Sequence, residues 1–194
     1  MTPVPVGCIL ERMTEISERY RALATELTRR VDAVPADRWD DPSPCPDWSA
    51  RDVLRHLIDN HRDIPGHAGQ SPTLTGSVDT DPAAAWAEAR AAVQSLLGDP
   101  ERATLSYEGY FGRTSLEATI DKFLGLDLLI HGWDLARATG QDETLPADQV
   151  SRVYADALSL GDNLRAGGVC GPVVEVAEDA PEQDRLLAHL GRQP

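Results

Sequence analysis

Asp127 and His131 stand four residues apart in the run LGLDLLIHGWDLARA, residues 124–138. On a helix turning 100° per residue they lie about 40° apart, so both side chains aim at a common point about one turn wide. That spacing supports two chemistries. The two residues can satisfy each other, an imidazole answering a carboxylate inside a core, or both can be ligands of one divalent ion, since zinc-like ions take His nitrogen and carboxylate oxygen. The surroundings make one of the two necessary. Leu126, Leu128, Leu129, Ile130 and Trp133 cover the other directions of the helix, and a helix apolar all round is normally an interior element. An ionised Asp buried there needs a cation or a donor.

A metal centre would need a third ligand from a neighbouring element. His56 and His61, in SARDVLRHLIDNHRDIPG, are the candidates, and periodicity does not choose between them. His61 falls within the apolar arc formed by Val53, Leu54, Leu57, Ile58 and Ile64, while His56 sits at its edge, next to Asp52, Arg55, Asp59 and Asp63. His67, in an expected loop, and His189, near the carboxyl end, are weaker candidates. Two histidines and one carboxylate would leave a coordination position open, the arrangement of catalytic zinc sites. The set suits other first-row divalent metals too. Asp134, close to the same stripe, is placed either to orient the His131 imidazole from behind or to pair with Arg137 three residues on.

The elements that must position these residues follow from periodicity and punctuation. Ile16, Tyr20, Leu23, Leu27 and Val31 recur at helical spacing, predicting a first amphipathic helix from about Ile9 to Val34, ended by Pro35. The Pro-rich loop DDPSPCPDW leads to Ser49 and Asp52, a capping-box pattern. It opens a second helix that should end at about Ile64, before Pro65. GHAGQSPTLTGSVDTDP reads as a long surface loop, and Asp81 with Pro82 as the cap of a third helix running to about Leu97. Residues 103–114 suit a short extended excursion or hairpin. The fourth helix runs from about Ser115 to Thr139 and is closed by Gly140. A fifth segment after Pro146 carries Val150, Val153, Leu158 and Leu164 to the pair Gly167–Gly168. The tail combines an extended piece with a short helix at Pro181 to Leu190. The expected architecture is an all-α bundle, with inward-facing side chains on adjacent helices as the place for a metal or cofactor.

Bulk properties narrow the function. The 194 residues carry 32 acidic and 18 basic side chains, a formal net charge of −14, which argues against a sequence-independent grip on nucleic acid. No apolar run approaches the roughly 20 residues that span a bilayer, and MTPVPVGCILERM lacks a basic region before its apolar patch. The expectation is a soluble, cytoplasmic protein of one domain over residues 1–194, with no membrane or nucleic-acid partner. Apolar residues on exposed helix faces allow a homodimer. Cys8, Cys45 and Cys170 form neither a disulfide framework nor a CxxC site and read as reduced structural thiols. For Cys45, with Pro on each side and no nearby His in sequence, a structural role is expected. Trp48 is expected to staple the Pro-rich turn, and Trp39, Trp86 and Trp133 to pack. The loop with Tyr107, Tyr110 and Phe111 either covers a pocket mouth or, more commonly for such residues, packs against the bundle.

SPCPDWSARDVLRHL, DLLIHGWDLARATG and GPVVEVAEDAPEQDRLLAHLGRQP, in this order, resemble blocks of a group of actinobacterial proteins in the DinB-like superfamily. The group lies close to the mycothiol-dependent maleylpyruvate isomerase amino-terminal domain. The likeness covers nearly the whole chain from about Met13, leaving residues 1–12 as an extension. It implies a DinB-like four-helix bundle holding a divalent metal, zinc foremost and nickel as the alternative. The ligands carried over are His56 from the second helix and Asp127 and His131 from the fourth, with Asp134 behind them. Many relatives have Glu or His where this chain has Asp127. The shorter arm brings the helix closer to the ion or leaves the carboxylate bound through water. The resemblance also implies a small-molecule thiol of the mycothiol type and an electrophilic substrate. The leading expectation is therefore a metal-dependent thiol transferase or isomerase. A metal-dependent hydrolase and a non-catalytic metal- or small-ligand-binding bundle stand as alternatives.

Overall fold

The computed structural model describes residues 6–161, 163–166 and 170–194; the side chains of residues 6–14 and 166 lie outside the description. Most of the described chain is helical, and its frame is the expected DinB-like bundle. Helices α1 (Val6–Asp32), α2 (Ala50–Gly66), α3 (Pro82–Leu97) and α6 (Gly125–Thr139) close a ring in which α1 packs on α3 and α6, and α2 on the same two. The short helix α4 (Pro100–Ala103) and the hairpin β1 (Ser106–Gly109) and β2 (Gly112–Ser115) link α3 to the fourth rod. That rod begins with α5 (Leu116–Thr119). After α6 come α7 (Ala147–Leu160), α8 (Asn163–Ala166) and α9 (Glu182–His189), with α9 packed against α7.

The apolar stripe of α1 is buried at Ile16, Tyr20, Leu23, Leu27 and Val31, facing Val53, Leu54 and Leu57 of α2 and Trp86, Ala89 and Val93 of α3 within one core. Helix α6 is buried at every position from Gly125 to Ala136, because α1 and α2 cover its inner sides and α7 packs outside. The tail adds Leu186, Leu187 and Leu190 to the same core. Gly140 closes α6 at φ 72°, a left-handed cap that glycine adopts without steric cost.

Several boundaries differ from the sequence reading for identifiable reasons. Helix α2 runs past Ile64 to Gly66 with Pro65 inside. Proline forfeits only its own N–H so late in a helix, and His67, Ala68 and Gln70 still donate to the carbonyls of Ile64 and Pro65. In the fifth segment Leu158 is exposed, and Ala157 takes the buried position with Val150 and Val153. The expected stop at Gly167–Gly168, residues 1–5 of the expected extension 1–12 and the Cys8 side chain fall outside the described residues, while the rest of that extension is the start of α1.

The fourth rod is not a uniform α-helix. Between α5 and α6 the segment Ile120–Leu124 forms a π-helical turn, closed by the Gly125 N–H on the Ile120 carbonyl. A π turn inserts one residue into the ladder, and such turns occur often at functional sites. It changes the angular relation between the residues before it and Asp127. Ile120 and Leu124, which a uniform helix would set on the Asp127 stripe, are fully buried in the core.

His61 is fully buried, its ring centroid 5.9 Å from that of Tyr20 and 5.0 Å from that of Trp86, and its Nδ1 donates to the Leu57 carbonyl at 2.6 Å. Burial pushes its pKa down to about 4, against the Leu57 hydrogen bond and the charge of Asp127, from an ordinary 6.5. The unfolded chain therefore takes up a proton that the folded chain refuses between these values. The stability present above the unfolded value is lost as the pH falls toward the folded one, at about 1.4 kcal/mol per unit. Urea unfolding should show that the stability lost between pH 7 and pH 4.5 is smaller by about 2 kcal/mol in His61→Met than in the wild type. Identical pH dependence in the two proteins would exclude the buried imidazole as its source.

Candidate metal centre

The second helix presents His56 at the bundle's edge because its start is fixed. Ser49 caps it, its hydroxyl accepting from the Asp52 N–H at 3.2 Å while the Asp52 carboxylate accepts from the Ser49 N–H at 3.0 Å. Ahead of this capping box the Pro-rich turn is clamped: Ser43 N–H donates to the Trp48 carbonyl at 2.8 Å and Trp48 N–H to the Cys45 carbonyl at 3.1 Å. Asp47 bends the turn at φ 64°, a left-handed conformation that Asp tolerates better than most residues. The turn thereby fixes both Trp48 and Cys45 beside the helices. Trp48 packs its ring against two imidazoles, 4.9 Å from His56 and 6.0 Å from His131 between centroids. This goes beyond the stapling role expected for it.

The fold brings together His56 from α2 with Asp127 and His131 from α6. One potential ligand atom of each lies within 4.8 Å of the others. His56 Nε2 is 3.9 Å from Asp127 Oδ2, and the two imidazole centroids are 4.8 Å apart. Ligand atoms held at about 2.0–2.2 Å from one ion stand no more than roughly 4.4 Å apart, so small side-chain adjustments suffice to close the set. His61 is excluded by its burial against Tyr20 and Trp86 on another face of α2.

The simple pairing of Asp127 with His131 is not what the structure contains. His131 directs Nδ1 to Asp134 Oδ2 at 2.9 Å, which leaves Nε2 for the side shared with His56 and Asp127. Asp127 Oδ2 instead accepts from Asn60 Nδ2 at 2.7 Å, and that same nitrogen is 3.0 Å from His56 Nε2. Asp134 is fully buried and is not paired with Arg137, whose partner is Glu143. Its cation is Arg192, from the tail, with Nη2 at 2.9 Å from Oδ2. Cys45 joins this second layer, with its Sγ 3.3 Å from Asp134 Oδ2, 3.4 Å from Arg192 Nη2 and 4.0 Å from His131 Nδ1. Along the sequence no histidine stands close to Cys45. The fold closes 86 residues of separation to place His131 beside it.

Electrostatics follow this layering. Burial would depress the His131 pKa, but the hydrogen bonds to Asp134 and Cys45 and the charge of Asp127 outweigh it and lift it to about 9. Burial would raise that of Asp134, but His131 and Arg192 draw it down to about 2. His56 is lowered by burial and by the neighbouring charge of His131. An imidazole nitrogen can ligate only without its proton, so a divalent ion at this set would compete with protonation of His131. The donor set fits a divalent ion: the His56 imidazole, a second imidazole whose far nitrogen is bonded to a carboxylate, and the Asp127 carboxyl group, the composition and backing common to His-carboxylate metal sites.

The Pro-rich turn lines a surface groove of about 420 Å³ that includes Cys45 and Trp48, while His56, Asp127 and His131 are not among its lining residues. Of the loop aromatics Tyr107 is tied to the bundle by a hydrogen bond, while Tyr110 and Phe111 stay exposed. The Tyr107 hydroxyl donates to Thr119 at 2.7 Å, and Phe111 stacks on Phe123, centroids 6.1 Å apart. Among the described residues no helix is long and apolar enough to cross a membrane.

Sequence reasoning missed Asn60, Cys45 and Arg192. Asn60 carried a usable signal, since it follows His56 by four residues on the same helix face. Cys45 and Arg192 carried none, because only the tertiary fold brings them to Asp134.

The family model described as mycothiol maleylpyruvate isomerase N-terminal domain matches residues 20–136, a span that includes every residue of the centre except Arg192. Two uncharacterized proteins of Mycobacterium tuberculosis, one from strain CDC 1551 / Oshkosh and one from strain H37Rv, are each 30% identical over 166 residues, covering 82% of this chain and 87% of theirs. No solved structure matches the chain significantly.

Removing one partner of a buried ion pair leaves the other charge uncompensated, at a cost of roughly 3–5 kcal/mol. Because His131 still faces Asp134, Arg192→Met should lose about 3 kcal/mol of stability to urea unfolding at pH 7. A loss below about 0.5 kcal/mol, typical of surface substitutions, would show that the tail contact is not part of the folded protein's charge balance.

Proposed function

Because the chain belongs to the mycothiol maleylpyruvate isomerase N-terminal domain family, we propose that it is a metal-dependent enzyme that adds, transfers or isomerises with a low-molecular-weight thiol of the mycothiol type. The observation that carries this reading is the convergence of His56, Asp127 and His131, with His131 Nδ1 held by the buried Asp134. His56, Asp127 and His131 would hold the ion, zinc foremost and nickel the alternative on donor chemistry. When bound, the ion supplies Lewis acidity that lets a thiol shed its proton near neutral pH.

The protein's own groups do the rest. Asp134 holds His131 through Nδ1, which leaves Nε2 free for an ion and would make the imidazole a better donor. Arg192 balances the Asp134 charge, so that the pair costs the buried layer less. Trp48 covers both imidazoles on the groove side and limits water there, which strengthens electrostatic interactions at the site. His56 has the most open side chain of the three candidate ligands, 32% exposed, and marks the direction from which a thiol and an electrophile would enter. This geometry suits a site with protein ligands behind and an open position in front.

Elemental analysis of protein purified without a histidine tag tests the reading. About one zinc or nickel ion per chain is expected, lost in each of His56→Ala, Asp127→Ala and His131→Ala, with mycothiol binding only to the loaded wild type. Wild-type protein that is empty and refuses both added metals would overturn the metal centre. A loaded protein that hydrolyses model esters without any thiol would replace the transferase reading with a hydrolase.

A further inference from the structure

The candidate centre is built from two helices, and α6 contributes a pair four residues apart, Asp127 and His131. Helix α2 contains a second pair at the same spacing, His56 and Asn60. The side-chain hydrogen bonds of Asn60 both run to the centre: its amide nitrogen is 2.7 Å from Asp127 Oδ2 and 3.0 Å from His56 Nε2. Two acceptors converging on one donor mark a place where positive charge is favoured, and here the amide –NH₂ supplies it. That group cannot stay between two ligand atoms once they share a cation, because its hydrogens would point at the ion. The carboxamide has a carbonyl oxygen opposite its nitrogen, and the two ends have nearly the same shape. Half a turn about the last side-chain bond brings the oxygen to where the nitrogen was.

We propose that Asn60 is a fourth protein ligand of the same ion, contributing its carbonyl oxygen, so that two helices each supply an i, i+4 pair. The proposal rests on the metal reading above and deepens it. A set of two nitrogens and two oxygens is harder than a set of two nitrogens and one oxygen, which shifts preference toward the more oxygen-accepting divalent ions. It also leaves one position fewer for an incoming thiol. In the ion-free protein Asn60 has a second use: it keeps His56 and Asp127 from swinging apart, and so preorganises the site.

Metal titration of the full chain tests this, with zinc affinity read by competition against a chelating dye and coordination read from the visible absorption of the cobalt-loaded protein. Asn60→Ala should bind zinc more weakly by about tenfold or more and give a cobalt spectrum different from that of the wild type. Asn60→Asp, which keeps an oxygen in place and adds charge, should bind at least as tightly as the wild type; this arm also decides the matter if Asn60→Ala folds poorly by circular dichroism. Unchanged or tighter binding by Asn60→Ala overturns the assignment and makes Asn60 a placeholder only. So does weaker binding with an unaltered cobalt spectrum, which would make it a brace for His56 and Asp127. A wild type that binds neither zinc nor cobalt overturns the metal reading itself and this assignment with it, so the two failures are distinguishable.

Discussion

Helix α6 is covered on every side, and it carries two carboxylates and an imidazole. In a medium that penalises isolated charge, each of these groups has to be answered by a specific neighbour, and the answers account for much of the arrangement around it. Asp134 is met by His131 and by a guanidinium from the tail. Asp127 is met by the Asn60 amide on α2, with His56 close by. The bundle therefore has a polar seam between α2 and α6 whose composition is dictated by electrostatics, while the rest of the α1–α3–α2–α6 ring is mainly apolar packing, apart from His61 and the buried Arg30 that bonds the Gly132 carbonyl of α6. The acidic surface of the chain plays little part in this, since its ion pairs are largely solvent-exposed and weak.

Two layers can be separated within that seam. The inner one, Cys45, Asp134 and Arg192, is already charge-balanced by protein groups alone, because the guanidinium stands where a cation would. The outer one, His56, Asp127 and the Nε2 side of His131, is met from outside the set by a neutral amide, that of Asn60. On the proposed metal reading, this asymmetry favours the outer layer for a divalent ion, although the inner one also offers a thiol, an imidazole nitrogen and a carboxylate at close quarters. His131 is common to both, with one nitrogen committed to each.

Much of this was legible in the sequence. The amphipathic stripe of α1, the Ser49–Asp52 box, the Asp81–Pro82 start and the Gly140 stop are local signals, and local signals set element boundaries well. The Asp127–His131 spacing was equally local and pointed to the seam. The choice of His56 over His61 was not legible from periodicity, since both lie near the apolar arc, and it took the family likeness to make it. Packing shows the reason: His61 meets Tyr20 and Trp86, whose positions depend on how α1 and α3 sit against α2. The π turn before α6 was invisible as well, since no residue type specifies it. Cys45 and Arg192 needed closures over 89 and 58 residues to reach Asp134, which no pattern in a short window encodes.

Those separations also show what the tail contributes. Arg192 reaches Asp134 across 58 residues, a shorter span than the 102 residues between Arg30 and Gly132 that join α1 to α6, so loop closure alone does not set the tail contact apart from the ring. What sets it apart is its origin. The four helices of the ring bury Asp134, yet none of them supplies its guanidinium, which comes from beyond α9. Removing the tail would therefore leave the ring's own contacts in place and take the cation away from a fully buried carboxylate. The tail is the counter-ion of the bundle's interior, and the charge order of the seam is tied to its docking.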